Sequence, residues 1–157
     1  MSSRDRATVG GVVLAAGRGS RYQAGNKLLA TVDGTAVVRH AAETACESSV
    51  SDIVAVLGYE NAAVAAALEG LSLSLRHNGE YARGQSTSVR HGVNYAREAG
   101  WDAALFLLGD MPFVRAGTIE GLVEAYRSGT ATIVVPEHDG TRGNPVLFDG
   151  CHFGALA

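Results

Sequence analysis

Hydrophobic positions along the chain follow two rhythms. Val9–Ala15 and Ala103–Leu108 are almost unbroken apolar runs of strand length. A strand with no alternating polar positions is buried on both faces, which is how parallel strands read. Helix-period segments lie between and after these runs. Val37, Val38, Ala41, Ala42 and Ala45 form one stripe after a turn at Asp33-Gly34. Residues 62–68 are rich in helix-forming alanine, and residues 87–98 read as a further helix. Ile119, Leu122, Val123 and Tyr126 recur at i, i+3, i+4 and i+7, with Gly129 closing that helix. Shorter strands are predicted over residues 52–57, 132–135 and 144–148. Residues 71–75 alternate leucine with serine, as an edge or half-exposed strand does.

Strands alternating with helices at this spacing call for an α/β fold of three layers, a mostly parallel sheet with helices on both faces. Such sheets bind ligands at the carboxyl ends of their strands. The loops after Ala15, Asn78, Leu108 and Val135 are therefore the places to look for a site. A chain of 157 residues, 46% hydrophobic and 18% charged, has the size of one domain over residues 1–157. Its net charge of -3, with no basic run and no acidic tail, argues against nucleic acid or an anionic membrane as partner. No apolar stretch reaches the roughly 18 residues of a spanning segment, and the polar N-terminus does not read as a signal peptide, so a cytoplasmic location is expected. Cys46 and Cys151 have no metal-ligand or CxxC spacing and are expected to be buried packing residues.

The first loop carries the most chemistry. Gly17, Gly19 and Gly25 alternate with Arg18, Arg21 and Lys27 between a buried strand and the helix-prone Lys27-Leu28-Leu29-Ala30. Glycines let backbone amides approach an anion, and the cations neutralise a polyphosphate. A dinucleotide fingerprint would need a third glycine where Tyr22 stands. A Walker A loop would need Gly-Lys-Ser/Thr where Gly25-Asn26-Lys27-Leu28 stands, so the loop is neither. Asp110 follows Gly109 at the end of the second apolar run, where a buried carboxylate requires a cation partner. Mg²⁺ is one such partner, since it takes one or two carboxylates and fills its shell with phosphate oxygens and water. Capping of the next helix is the other use of Asp110. Gly84-Gln85-Ser86-Thr87-Ser88 precedes a helix, where its amides and hydroxyls can meet a nucleotide or serve as an ordinary N-cap. Asn78 is open to the same two readings.

Leu14-Ala15-Ala16-Gly17-x-x-Ser20-Arg21 followed by Lys27-Leu28-Leu29 resembles the signature of the nucleotidyltransferases with a glycosyltransferase-A-like fold. Within them it is most similar to the molybdenum cofactor cytidylyltransferase group. Three later segments match the same group: Asn78-x-x-Tyr81-x-x-Gly84-Gln85-Ser86-x-Ser88-x-x-x-Gly92, Gly109-Asp110-Met111-Pro112, and Gly143-Asn144-Pro145-Val146-Leu147-Phe148. The resemblance implies that Arg21 holds a triphosphate, that Lys27 stabilises charge at the α-phosphorus, and that Asp110 ligates Mg²⁺. It also implies nucleotide contacts from Leu14, Ala15, Ala16, Gly17, Arg18, Gly19, Ser20, Asn78, Gly84, Ser86, Ser88 and Gly109, with Gly143, Asn144 and Pro145 in an acceptor pocket. Relatives that use CTP tend to read Ala-Ala-Gly where those that use GTP read Ala-Gly-Gly, so Ala15-Ala16-Gly17 points to CTP.

The reaction so implied is transfer of CMP from CTP to the terminal phosphate of molybdenum cofactor (molybdopterin), with release of pyrophosphate. A molybdenum hydroxylase apoenzyme would receive the product. The alternatives are guanylyl transfer to the same cofactor, cytidylyl transfer to a sugar-alcohol phosphate, and a non-catalytic protein that holds nucleotide or cofactor. The sequence departs from the group at Tyr22, where methionine is commoner, and at Asn144, where histidine is usual; the gap from Arg21 to Lys27 is also one residue longer. Relatives of this group continue to a second glycine-aspartate motif with another metal ligand, so the chain ending at Ala157 reads as truncated.

Overall fold

The computed structural model describes residues 3–17 and 26–157. The elements in chain order are β1 (Val9–Ala15), the short pair β2 (Thr31–Val32) and β3 (Thr35–Ala36), α1 (Val37–Glu47), β4 (Ile53–Leu57), α2 (Asn61–Ala67) and β5 (Ser74–His77). They continue with α3 (Gln85–Ala99), β6 (Ala103–Leu108), α4 (Ala116–Ser128), β7 (Ile133–Val134), the pair β8 (Glu137–His138) and β9 (Thr141–Arg142), β10 (Val146–Asp149) and α5 (Phe153–Leu156).

Six strands form one sheet in the order β5-β4-β1-β6-β10-β7. The first four are mutually parallel, and β10 runs antiparallel to both β6 and β7. The expected mostly parallel sheet is thus present, with one reversed strand in it. The reversal has a positional effect. Val146 pairs with Phe106 and Asp149 with Ala103, so the amino-terminal end of β10 reaches the edge of the sheet where β6 finishes.

Period-2 alternation divides the apolar strands between two cores. Val9, Val13 and Ala15 of β1, Ile53, Ala55 and Leu57 of β4, and Leu105 and Leu107 of β6 face the stripes of α1, α2 and α4. Val12, Val54, Val56, Ala104 and Phe106 point the other way, onto Val93 and Ala96 of α3, Trp101, and Phe153 of α5. These are the three layers expected, and both faces of the central strands are dry because every position has a helix to pack against. Fully buried side chains such as Leu105, Leu107 and Ile119 each contribute roughly 1.5–3 kcal/mol relative to exposure. Two glycines are set by close approach in the second core. A Cβ at Gly10 would lie 2.1 Å from the Trp101 ring, and one at Gly92 would lie 2.7 Å from Val12 Cγ1.

The strand expected over residues 71–75 forms three residues later. Leu71 and Leu73 are apolar because they pack against the core under α2, not because they pair. Pairing begins only at Ser74, opposite Val54, and the strand it starts is an exposed edge. The cysteines also separate: Cys46 is half-buried against the core, whereas Cys151 is exposed, contrary to the packing role expected for it. Among the described residues no helix is long and apolar enough to cross a membrane.

Candidate active site

β1 and β6 end side by side, and the segments that follow them form one rim. Leu14, Ala16 and Gly17 come from the first, Leu108 and Asp110 from the second, and Lys27 and Leu28 from a 3-10 turn, Lys27–Leu29. With Tyr81, Ala82, Gly84, Gln85 and Ser88 opposite, they enclose a cavity of about 440 Å³. That volume suits a small-molecule ligand. Of the four loops singled out from strand ends, those after Ala15, Asn78 and Leu108 supply its walls, and the one after Val135 does not.

Close backbone approach holds the floor together. The Gly109 amide donates to the Leu14 carbonyl at 2.9 Å, and a Cβ at position 109 would stand 2.8 Å from that same oxygen. Gly58, just past β4, is tighter. A Cβ there would lie 2.6 Å from Tyr81 Cβ and 2.8 Å from Ala16 Cβ, so the absence of a side chain is what lets two cavity walls meet. The Tyr59 amide then donates to the Ala16 carbonyl at 3.2 Å.

Lys27 enters the cavity from a turn that Asn26 organises, its Oδ1 accepting from the Leu28 amide at 3.0 Å. Lys27 Nζ stands 3.7 Å from Asp110 Oδ2, with the two side chains 50% and 45% exposed. An ion pair this open is worth about 0–1 kcal/mol, so either partner is easily taken by another ion. The carboxylate is therefore not the buried charge that its place after an apolar strand suggested. β6 stops at Leu108, and the turn closed by the Met111 amide on the Leu108 carbonyl carries Asp110 onto the exposed rim. Nor does Asp110 cap the next helix, since α4 starts at Ala116 with Arg115 in the cap position.

The opposite wall is the amino-terminal turn of α3. Gly84 occupies its cap position with φ +119°, a left-handed value that favours glycine, and among the described residues no side chain caps the helix. The serine or threonine cap that the segment suggested is absent, because the helix begins at Gln85 and its cap position falls on Gly84, while Thr87 Oγ1 donates back to the Gly84 carbonyl at 2.7 Å. The positive end of a fifteen-residue helix dipole thus opens beside Gly84 and Gln85. Behind this turn Asn78 is fully buried, and its Nδ2 donates to Thr87 Oγ1 and to Ser88 Oγ, both at 2.9 Å.

The candidate residues fall into four groups. Leu14, Ala16, Gly17, Lys27, Gly84, Ser88 and Asp110 line the cavity together. Ala15, Asn78 and Gly109 are buried outside its lining, and Ser86 is exposed in the first turn of α3 without lining it. Gly143 and Asn144 are exposed, Pro145 is buried and joined to Asn144 by a cis bond, and the reversed β10 brings these three to the rim of β6 without placing them in the lining. Arg18, Gly19, Ser20 and Arg21 lie outside the described residues.

Sequence reasoning gave no role to Tyr81, Ala82, Gln85, Leu28 or Leu108 as lining. Tyr81 and Gln85 stood inside a matched segment, and an aromatic in the loop after a strand was the available signal. The Tyr81 ring lies 6.2 Å from that of Tyr59, tilted by 47°. Among the described residues no group of three or more His, Cys, Asp or Glu is placed to hold a metal. Asp110 alone offers the lining a carboxylate. One hard oxygen donor with room beside it fits a divalent ion that keeps water and phosphate ligands.

Residues 11–157 match the profile of the MobA-like NTP transferase domain. The chain belongs to the MobA-like NTP transferase family. The bifunctional protein GlmU of Sinorhizobium medicae (strain WSM419) is 29% identical over 125 residues, covering 79% of this chain and 27% of that protein. GlmU of Anaeromyxobacter sp. (strain K) is 32% identical over 133 residues, 83% of this chain and 27% of its own length. The MobA-like chain therefore spans little more than a quarter of these curated relatives. Among solved structures, Rv0371c from Mycobacterium tuberculosis H37Rv matches with a TM-score of 0.82 at 26% identity, over 96% of this chain and 75% of that one. A manganese complex of Rv0371c matches with a TM-score of 0.76 at 24% identity, over 95% of this chain and 74% of that one. The α/β fold expected from the sequence is the one these nucleotidyltransferase-family comparisons share.

Proposed function

We propose that this MobA-like domain transfers CMP from CTP to the terminal phosphate of molybdenum cofactor, releasing pyrophosphate. The observation that carries nucleotidyl transfer is the placement of Lys27 Nζ and Asp110 Oδ2, 3.7 Å apart at one side of a cavity whose opposite wall is the uncapped amino terminus of α3. Two opposite charges and a helix dipole are what a phosphate chain with a divalent counter-ion needs. Mg²⁺, when bound, supplies charge neutralisation at the phosphates, and Asp110 would hold it. The manganese complex of the mycobacterial relative supports a divalent ion in this role.

In this reading Lys27 leaves Asp110 for the α-phosphate and stabilises the charge that builds there during transfer. Arg21 holds the triphosphate, with Arg18, Gly19 and Ser20 of the same loop around it. Leu14, Ala16, Gly17, Gly84 and Ser88 contact the nucleotide directly. Ala15 and Gly109 keep the floor in place from beneath, and Ser86 adds a hydroxyl at the helix turn. The acceptor enters along the rim of Gly143, Asn144 and Pro145. One of its phosphate oxygens bonds to the α-phosphorus as the α–β bridge breaks, and the electron pair leaves with pyrophosphate. No side-chain nucleophile is required, so alignment and charge supply the catalysis. The choice of CTP rests on Ala15-Ala16-Gly17, and the choice of acceptor on the resemblance of Gly143 to Phe148. A molybdenum hydroxylase apoenzyme would be the recipient.

The test is pyrophosphate release measured with CTP or GTP, Mg²⁺ and molybdenum cofactor, each omitted in turn. Release only when CTP, metal and cofactor are together supports the proposal. Equal turnover with GTP reverses the base assignment. Binding without turnover for every nucleotide supports a holding protein instead.

A further inference from the structure

The buried network behind α3 sets a hydrogen-bond polarity in the cavity. The Glu80 amide donates to Asn78 Oδ1 at 2.8 Å. A backbone N–H can only donate, so this bond settles which way the carboxamide is turned. Asn78 Nδ2 must then face the two hydroxyls, and it has one hydrogen for each: Thr87 Oγ1 and Ser88 Oγ, both at 2.9 Å. Both hydroxyls are thereby acceptors on that side, and each has to send its own hydrogen elsewhere. Thr87 sends its hydrogen to the Gly84 carbonyl at 2.7 Å or the Glu80 carbonyl at 3.1 Å. Among the described residues no acceptor is paired with the Ser88 hydroxyl, and Ser88 lines the cavity.

We infer that Asn78 is a positioning residue that makes Ser88 a donor toward the cavity, so that the site selects ligands presenting an acceptor oxygen or nitrogen there and disfavours those presenting N–H. Asn78 itself touches no ligand. Its complete burial and its three hydrogen bonds leave it no free polar atom. This replaces the direct nucleotide contact expected for Asn78 by an action through Ser88, and it rests on the nucleotide reading of the cavity.

Asn78→Asp reverses the polarity with almost no change of shape. An ionised aspartate there can only accept: it keeps the bond from the Glu80 amide and takes hydrogens from hydroxyls that are free to turn. The Ser88 hydrogen then turns inward and a lone pair faces the ligand. The experiment is a double-mutant cycle of Asn78→Asp and Ser88→Ala, reading the Kd of CTP and of GTP in MgCl₂ by calorimetry, with circular dichroism melting of each variant. Asn78→Asp is expected to raise the Kd of the preferred nucleotide about tenfold, the size of one hydrogen bond removed and left unsatisfied. In the Ser88→Ala background the same change should add little, because the hydroxyl it acts through is gone.

An additive cycle, with the same fold-loss in both backgrounds, overturns the inference and makes Asn78 a purely structural clamp. Should Asn78→Asp fail to fold, Asn78→Ser frees the Ser88 hydroxyl to rotate. A loss of about threefold that disappears in the Ser88→Ala background supports the inference, and one that persists there overturns it. If the unaltered chain binds neither CTP nor GTP, the nucleotide reading fails and this inference with it. If the unaltered chain binds and the cycle is additive, only this inference fails.

Discussion

Replacing Gly58 by alanine tests whether the cavity is assembled by close backbone approach. The added methyl would stand 2.6 Å from Tyr81 Cβ and 2.8 Å from Ala16 Cβ. Carbon atoms rest at about 3.5–4.0 Å, so one wall must retreat by about 1 Å. Both obstructing atoms are Cβ atoms tied to backbone, and no rotamer change relieves them. Overpacking of this kind costs roughly 1–3 kcal/mol. For a domain of this size a destabilisation of about 2 kcal/mol lowers Tm by about 6 °C. The displaced walls are those of the cavity proposed to take the nucleotide, so affinity should fall as well. If the retreating wall forfeits one hydrogen bond to the ligand, nucleotide Kd should rise about fivefold to tenfold. The matched control is Gly11→Ala in β1, whose Cβ would meet only Val50 and Ile53 side chains at 3.5 and 3.7 Å, ordinary packing distances. The assay is urea unfolding followed by calorimetric titration of CTP, run on both variants. A Gly58→Ala protein with unchanged stability and unchanged Kd would refute the reasoning. Equal effects in Gly11→Ala would refute it too, since they would show only that this sheet resists any added methyl.

Other side chains give further expected outcomes. Lys27→Ala should abolish pyrophosphate release while lowering Tm by no more than about 3 °C, because the exposed pair it breaks contributes at most about 1 kcal/mol; turnover near the unaltered rate would remove Lys27 from the chemistry. Arg4 donates to the carbonyls of Tyr126, Gly129 and Ala131 at the end of α4 and lies 4.6 Å over the Tyr126 ring. Arg4→Ala should cost about 2 kcal/mol in urea unfolding through removal of charged hydrogen bonds, with no effect on nucleotide Kd; a stability change under about 0.5 kcal/mol would make these bonds incidental. Burial opposes ionisation of Asp149, but hydrogen bonds from the Tyr126 hydroxyl and the Cys151 amide outweigh it and hold its carboxyl below the ordinary carboxylate range. A depressed folded-state pKa gives stability that is full above the ordinary carboxylate range and is lost as pH falls through the folded value. Stability against pH should therefore drop on the acid side, and Asp149→Asn should flatten that limb; an unchanged acid limb in Asp149→Asn would show that other carboxylates control it.

The parts of the fold that were legible are those whose cause is local. Val9–Ala15 and Ala103–Leu108 announce buried parallel strands because every position is apolar, and the stripe Ile119, Leu122, Val123, Tyr126 announces α4 because one face must be dry. β5 was displaced because Leu71 and Leu73 owe their apolar character to packing under a helix, while the paired residues Arg76 and His77 sit on an exposed edge where composition says little. The direction of β10 was not legible, since hydrophobic pattern is the same read either way. In the site, Lys27, Asp110, Gly84 and Ser88 stood in recognisable segments. Gly58 did not, because its need for a missing side chain arises only when Tyr81, far along the chain, is laid across it. Asn78 was singled out for the right neighbourhood, but whether it stands on the wall or behind it depends on hydrogen bonds to residues nine and ten positions away.

The reversed strand β10 turns the proposed spacing between donor and acceptor into a matter of ladder registration. Asp110 hangs from the end of β6, and Gly143-Asn144-Pro145 hangs from the start of β10, four of whose residues are zipped to that same strand. A slip of two positions, the smallest that keeps Leu147 facing the core, would shift the acceptor rim by about 6.8 Å relative to the carboxylate. An engineer wishing to admit a longer acceptor would therefore edit the ladder between β6 and β10 before the loops, which carry the side chains proposed for the chemistry.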